Sequence, residues 1–437
     1  MVKQELSIFW FRRDLRLEDN HGLYKALTAG EKVLGLFIFD KEILDKLPPK
    51  DARVQFIHQE LSKIKARLEE MGSTLLVRYG KVDQVWQELS DQFTIKSVFA
   101  NRDYESYAIA RDKSIYYFLE EKGIPFKAYK DQVIFEKNEV VKDDGKPYVV
   151  YTPYMKRYKQ LLTDAQLRPH LSESEKENFV RMEVLPMPSL AEMGFQEFPF
   201  QYPSAEFPTK IIQKYHEQRD IPAIKGTSRL SLHLRFGTIS IRALAKHAMA
   251  ENEKYFNELI WRDFYQSIIY HFPHSEKESF RREYDAIEWE NNTDHFEKWC
   301  AGKTGYPLVD AGMRELNASG FMHNRVRMVV ASFLTKHLLI DWRWGESYFA
   351  EKLLDYELAS NVGGWQWAAG SGVDAAPYFR VFNPSLQMEK FDPEKRYIKK
   401  WVPEFGTSQY PKPIVDHKEA RLRAIARYKQ TLNQSSN

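Results

Sequence analysis

The chain has 437 residues, too many for one ordinary core at roughly 150 residues per domain, so two or three domains are expected. Apolar residues make up 43% and charged residues 29%, a globular composition, and no apolar run reaches the length of a membrane span. The 64 basic and 61 acidic residues nearly cancel, so nucleic-acid binding would need a local basic patch, and the single Cys300 excludes an internal disulfide and a cysteine-built zinc site.

The N-terminus, MVKQELSIFWF, runs straight into a strand-like stretch without the features of a secretory signal. An intracellular, cytoplasmic protein is therefore expected. Short β-rich runs follow at 6–11 (LSIFWF), 33–40 (VLGLFIFD), 74–79 (TLLVRY) and 97–100 (SVFA), with 125–130 (PFKAYK) as a fifth. Helical patterns lie between them at 52–71, ended by Gly72, and at 108–121, ended by Gly123. Strands alternating with helices, and apolar along their whole length, predict an α/β, Rossmann-like parallel sheet over 1–130. From 131 to 210 prolines punctuate the sequence, which reads as an interdomain linker with one helix near 155–162. From 211 to 437 the pattern is helical, strongest at 255–269 and 321–339, and predicts an all-α domain.

No G-x-G-x-x-G follows the first strand, which removes the dinucleotide fingerprint, and no metal site is expected. Three other stretches carry chemistry. Residues 226–231 (GTSRLS) set hydroxyls and an arginine before a helix, which suits a pyrophosphate, although Ser and Thr there also suit an ordinary N-cap. Residues 353–364 (LLDYELASNVGG) place Asp355 and Glu357 among apolar residues, then Asn361 and two glycines, as where backbone approaches a flat ligand. Residues 322–328 (MHNRVRM) put Arg325 and Arg327 on different faces of a helix.

Together with ELIWRDFY (258–265), KTGYPLVDAGMREL (303–316), LLIDWRWGE, NVGGWQWAAG, DAAPYFRVFNP and the opening WFRRDLRLEDN (10–20), these stretches make the chain resemble the DNA photolyase/cryptochrome family. The resemblance covers nearly the whole chain and is greatest to class I photolyases that repair cyclobutane pyrimidine dimers. It implies FAD, reduced in the active form, in the helical domain at 211–437. Tyr215, Thr227, Ser228, Arg229, Leu230 and Ser231 would hold its diphosphate. Asp355 and Glu357 would meet the flavin and ribose, with Arg262 also on the cofactor and Arg327 pairing with Asp355. Most relatives carry Asp where Glu357 stands.

The resemblance further places Asn361 at flavin N5, Trp261 and Trp367 as opposite walls of a slot for the flipped lesion, and Glu258, Asn324 and Met328 on the lesion itself. Trp365, Trp342 and Trp289 would form an electron relay to the surface. The W-x-W spacing is explained if that segment is locally extended, because alternate strand residues point opposite ways. Arg262 and Arg325, with Arg380 and Lys390, would meet DNA phosphates. The implied protein is a monomer acting on DNA that contains pyrimidine dimers, with no membrane partner.

By the same resemblance Asn324 and Trp367 favour the cyclobutane lesion over the (6-4) lesion, Met328 stands where single-strand-preferring relatives carry Gln, and Asn361 favours repair over a cryptochrome photoreceptor. The chain also ends soon after DAAPYFRVFNP, where signalling members add a tail. Folate-antenna members carry Asn-Glu where this sequence has Tyr107-Ala108, although Lys277 matches another folate contact. A second antenna chromophore is thus allowed, with its identity open between a deazaflavin and a second flavin.

Overall fold

The structure is a computed structural model, described here for residues 3–434. The chain forms two compact units, and each is interrupted in sequence. One takes the chain up to Glu139, then Leu161–Phe207 and Arg229–Ala250; the other takes Val140–Gln160, Pro208–Ser228 and the chain from Glu251 onward.

The first unit is built on five strands: β1 (Glu5–Phe11), β2 (Val33–Asp40), β3 (Leu75–Gly80), β4 (Thr94–Asn101) and β5 (Phe126–Tyr129). Every ladder is parallel, and the order is β3-β2-β1-β4-β5. All eight residues of β2 are buried, which is why it reads as one unbroken apolar run. Gly35 in its middle admits the Phe11 ring: a Cβ there would lie 3.1 Å from that ring and 3.0 Å from Leu75. The Ala52–Glu70 helix starts on Asp51, whose carboxylate accepts from the Arg53 and Val54 amides, and stops before Gly72 at φ +75°.

Buried ion pairs tie Arg229–Ala250 to this sheet. Asp131 accepts from Arg16 at 2.6 Å and from Arg242 at 2.8 Å, and Arg242 also reaches Asp19. Burial alone would push the Asp131 carboxyl up, but the two guanidinium groups hold it well below the usual range.

The second unit is helical, and a hydrophobic core in it runs through Val326, Val329, Val330, Phe333 and Leu334 and on to Trp342 and Trp365. The pattern at 321–339 is not one α-helix. The α-helix spans Asn324–Ser332, capped by His323, whose Nδ1 accepts from the Arg325 amide. Phe333–His337 then widens into a π turn, with the Leu338 amide donating to the Phe333 carbonyl. The wider turn accompanies burial of Lys336, whose Nζ donates to the Ala369 and Tyr378 carbonyls at 3.0 and 3.1 Å. Among the described residues no helix is long and apolar enough to cross a membrane.

Candidate functional site

The two closely spaced tryptophans lie on an α-helix, Leu358–Ala369, which ends at Gly370 with φ +91°. The segment is not extended, which corrects the expectation from sequence. A helix still sends the rings apart, because residues two positions apart differ by about 200° around the axis. Trp365 turns inward and is 2% exposed, with its ring 5.0 Å from Phe349 and 6.1 Å from Trp299. It reaches the Trp342–Lys352 helix across Gly345, where a Cβ would come within 2.1 Å of the indole. Trp367 is half-buried on the other side. Between them Gln366 is locked, donating to the Ser275 and Glu278 carbonyls and accepting from the Phe280 amide. That pin was not visible in the sequence.

Asn361 and Gly364 are one turn apart on this helix, with Gly364 on the side toward Trp367. The Asn361 amide donates to the Glu346 carboxylate at 2.9 Å and to the Glu346 carbonyl at 3.1 Å, and burial pushes the Glu346 carboxyl up. Nothing lies within 4 Å of a Cβ built on Gly364, so the backbone there faces open space. Gly363 has another cause: a Cβ on it would strike the Tyr265 ring at 2.3 Å.

Two ion pairs flank the helix start. Arg327 meets both Asp355 oxygens at 3.1 and 3.2 Å while its Nε donates to the Met322 carbonyl. Arg262 meets Glu357 at 2.9 Å, and Ser360 donates to the same carboxylate. Arg262 is 9% exposed and Glu357 6%. The Arg262 guanidinium is thus enclosed, with a carboxylate beside it.

The Glu253–His271 helix, capped by Asn252, carries Glu258, Trp261 and Arg262. Tyr151 stacks on one face of Trp261 with centroids 3.7 Å apart and planes at 7°, and its hydroxyl donates to the Asn257 carbonyl at 2.7 Å. Glu258 pairs with Arg219; burial raises its carboxyl against the lowering effect of that arginine. Asn324 is exposed and Met328 half-buried, one turn apart at the start of the Asn324–Ser332 helix. Arg325 pairs with Asp220 at 2.8 Å and lies 4.4 Å from the Phe391 centroid; Lys390 sits 5.2 Å from the same ring, and it and Arg380 are exposed. Tyr151, Arg219 and Asp220 carry no motif, and Glu346 closes LLIDWRWGE; sequence reasoning assigned a role to none of the four.

The GTSRLS stretch divides at the unit boundary. In the helical unit the Ser228 hydroxyl lies 2.8 Å from that of Tyr255, whose ring meets Tyr215 edge-on at 5.1 Å; Thr227 is half-buried. In the sheet unit Arg229 holds a left-handed φ of 56° and the Ser231–Phe236 helix begins after Leu230. The N-cap position of that helix is Leu230, which gives it no side-chain cap.

Trp342 is 1% exposed at the start of its helix, with Arg343 4.8 Å from its ring and its Nε1 without a hydrogen-bond partner. Trp342 and Trp365 share one apolar cluster, and the half-buried Trp289 packs against it. The Trp289 ring also meets Tyr428 edge-on at 6.0 Å. The three indoles therefore lie on one continuous aromatic and aliphatic body that runs from the interior toward the surface.

Residues 7–173 match the DNA photolyase family, and residues 255–408 match the FAD binding domain of DNA photolyase. The chain is 36% identical to a deoxyribodipyrimidine photo-lyase of Halobacterium salinarum, over 97% of this chain and 99% of that one. A bacterial class III photolyase from Agrobacterium tumefaciens has a similar structure, with a TM-score of 0.86 and 32% identity over 99% of both chains. An archaeal photolyase from Sulfolobus tokodaii with two FAD molecules gives a TM-score of 0.82 and 36% identity over 98% of this chain and all of that one. The donor set fits a flavin nucleotide: a bare stretch of helix at Gly364 beside a fixed amide, two carboxylate–guanidinium pairs, and the Thr227 and Ser228 hydroxyls. The chain belongs to the DNA photolyase family, and its FAD-binding domain spans residues 255–408.

Proposed function

We propose that this photo-lyase splits cyclobutane pyrimidine dimers in DNA under light. The observation that carries the reading is the Leu358–Ala369 helix, which sets a fixed amide and open backbone beside the half-buried Trp367 while burying Trp365. When bound, reduced FAD supplies the photo-excited electron that opens the cyclobutane ring and is returned afterwards, so no net redox change results.

The chain's own residues do the rest. Tyr215, Thr227, Ser228, Arg229, Leu230 and Ser231 hold the diphosphate, and Arg262 with Glu357 sits at the ribose. Arg327 and Asp355 border the isoalloxazine, where a cation favours an anionic ring. Asn361 faces N5, and its side chain is oriented by Glu346. Trp261, backed by Tyr151, and Trp367 form flat walls for a flipped dimer. Glu258 reads the thymine edge, and the burial that raises its carboxyl favours a protonated form able to donate a hydrogen bond to a base carbonyl. Asn324 and Met328 line the same slot. Arg325, with Arg380 and Lys390, takes flanking phosphates. Trp365, Trp342 and Trp289 pass electrons inward to bring a resting, oxidised cofactor to its active state.

The protein acts as a cytoplasmic monomer, and a second chromophore serves as antenna. The test is illumination of the purified protein with an oligonucleotide carrying one thymine dimer, following the return of thymine absorbance. Return under light and none in darkness is expected. A flavin-loaded protein that leaves the dimer intact under light would overturn the reading.

A further inference from the structure

Two side chains assigned to DNA are already engaged, and adjacent residues engage them. Arg219 takes Glu258, and Asp220 takes Arg325 through Nε and Nη2, both on Oδ1, at 3.2 and 2.8 Å. Each guanidinium is also held by a ring: Arg219 lies 5.5 Å from the Tyr215 centroid and Arg325 4.4 Å from that of Phe391. In the outer pair the Asp220 side chain is 41% exposed and that of Arg325 18%. The carboxylate is therefore the more accessible member, and an arriving phosphate meets a like charge before it meets the arginine.

That arrangement weakens binding to any DNA whose phosphate reaches Arg325. Binding to undamaged DNA rests on phosphate electrostatics, so a carboxylate beside a phosphate-reading arginine weakens it directly. Binding to a lesion adds stacking and hydrogen bonds in the base slot, which this charge does not touch.

We propose that Asp220 is a brake on phosphate binding: by cancelling the charge of Arg325 it holds down the lesion-independent part of DNA affinity and leaves discrimination to the dimer slot. The inference rests on the DNA-repair reading of the same site. The segment with Tyr215, Arg219 and Asp220 thus has two jobs, one on the cofactor side and one facing DNA.

The test compares the FAD-loaded wild type with Asp220→Asn on one duplex, undamaged or with a single thymine dimer, by anisotropy between about 50 and 200 mM salt. The variant keeps shape and polarity at an exposed position, and an unchanged flavin spectrum confirms an intact fold. It should bind both duplexes several-fold more tightly, with the slope of log K against log salt steeper by about 0.9, and its preference for damaged over undamaged DNA should stay near the wild-type value. Unchanged undamaged binding and slope overturns the proposal. Weaker binding to both duplexes also overturns it, by making Asp220 a support for Arg325. A wild type with no preference for the dimer fails at the repair reading itself, an outcome distinct from the other two.

Discussion

Trp342 and Trp367 do separable jobs under the proposed reading, and substitution can pull the jobs apart. Trp342 is a buried relay ring with an unpartnered Nε1, so Trp342→Phe keeps an aromatic in place, loses no hydrogen bond and is much harder to oxidise. Photoreduction of the oxidised protein should slow severalfold or more in transient absorption, while repair by protein reduced chemically in the dark stays near the wild-type rate. If flavin is retained and dark-reduced repair is lost as well, the division of labour is wrong. At this scale the sequence revealed residue types but not partners. Glu258 and Trp261 stood out in ELIWRDFY, yet the arginine on one and the tyrosine on the other come from distant segments that no local pattern marks. Glu357 as the partner of Arg262 was no more visible.

The Leu358–Ala369 helix is the element whose shape decides the most. Two glycines inside it cost helix stability, roughly 1 kcal/mol each relative to alanine. Tyr265 accounts for Gly363 and, among the described residues, nothing accounts for Gly364. Gly364→Ala should therefore raise the stability of the FAD-free protein by about 0.5–1 kcal/mol while weakening FAD retention. Thermal unfolding of apoprotein and flavin release from holoprotein check the two halves. Stabilisation with unchanged flavin affinity would show that this open face is not the cofactor's. Elements were legible where one period dominated, as in β2, whose bounds at Val33–Asp40 match its apolar run. They were less legible where a hydrophobic pattern continued through a change of winding, as at Phe333–His337, because an apolar stripe survives a π turn. The W-x-W pair misled in the opposite direction, since opposed side chains suit a strand and also a helix.

At the scale of the whole molecule the parallel sheet and the helical unit were both foreseeable from alternation and periodicity, whereas the interleaving of segments was not, because sequence patterns do not record which distant stretches pack together. Acid sensitivity also belongs at this scale. His170 stacks on His21 at 3.8 Å with planes at 5°, and the His21 Nδ1–H donates to the Lys130 carbonyl. Burial, then the neighbouring ring, lowers His170 to about 4. An unfolded histidine titrates near 6.5, so between those values the unfolded chain holds the extra proton. This contribution is present above about pH 6.5 and is lost as pH falls toward 4. His170→Gln should flatten the fall of the melting temperature across that window and leave little difference above it, as read by calorimetry over a pH series.

The helical unit takes residues 140–160 and 208–228 from the earlier part of the chain. No single cut therefore yields a minimal catalytic fragment. A truncation beginning at 211 would discard Tyr151 from behind Trp261, Tyr158 from Asp263 and Lys159 from Glu253. On the ribosome the same geometry imposes an order: the early segment must wait, already synthesised, for helices that emerge a hundred or more residues later, so the flavin-holding half matures only when translation is nearly finished.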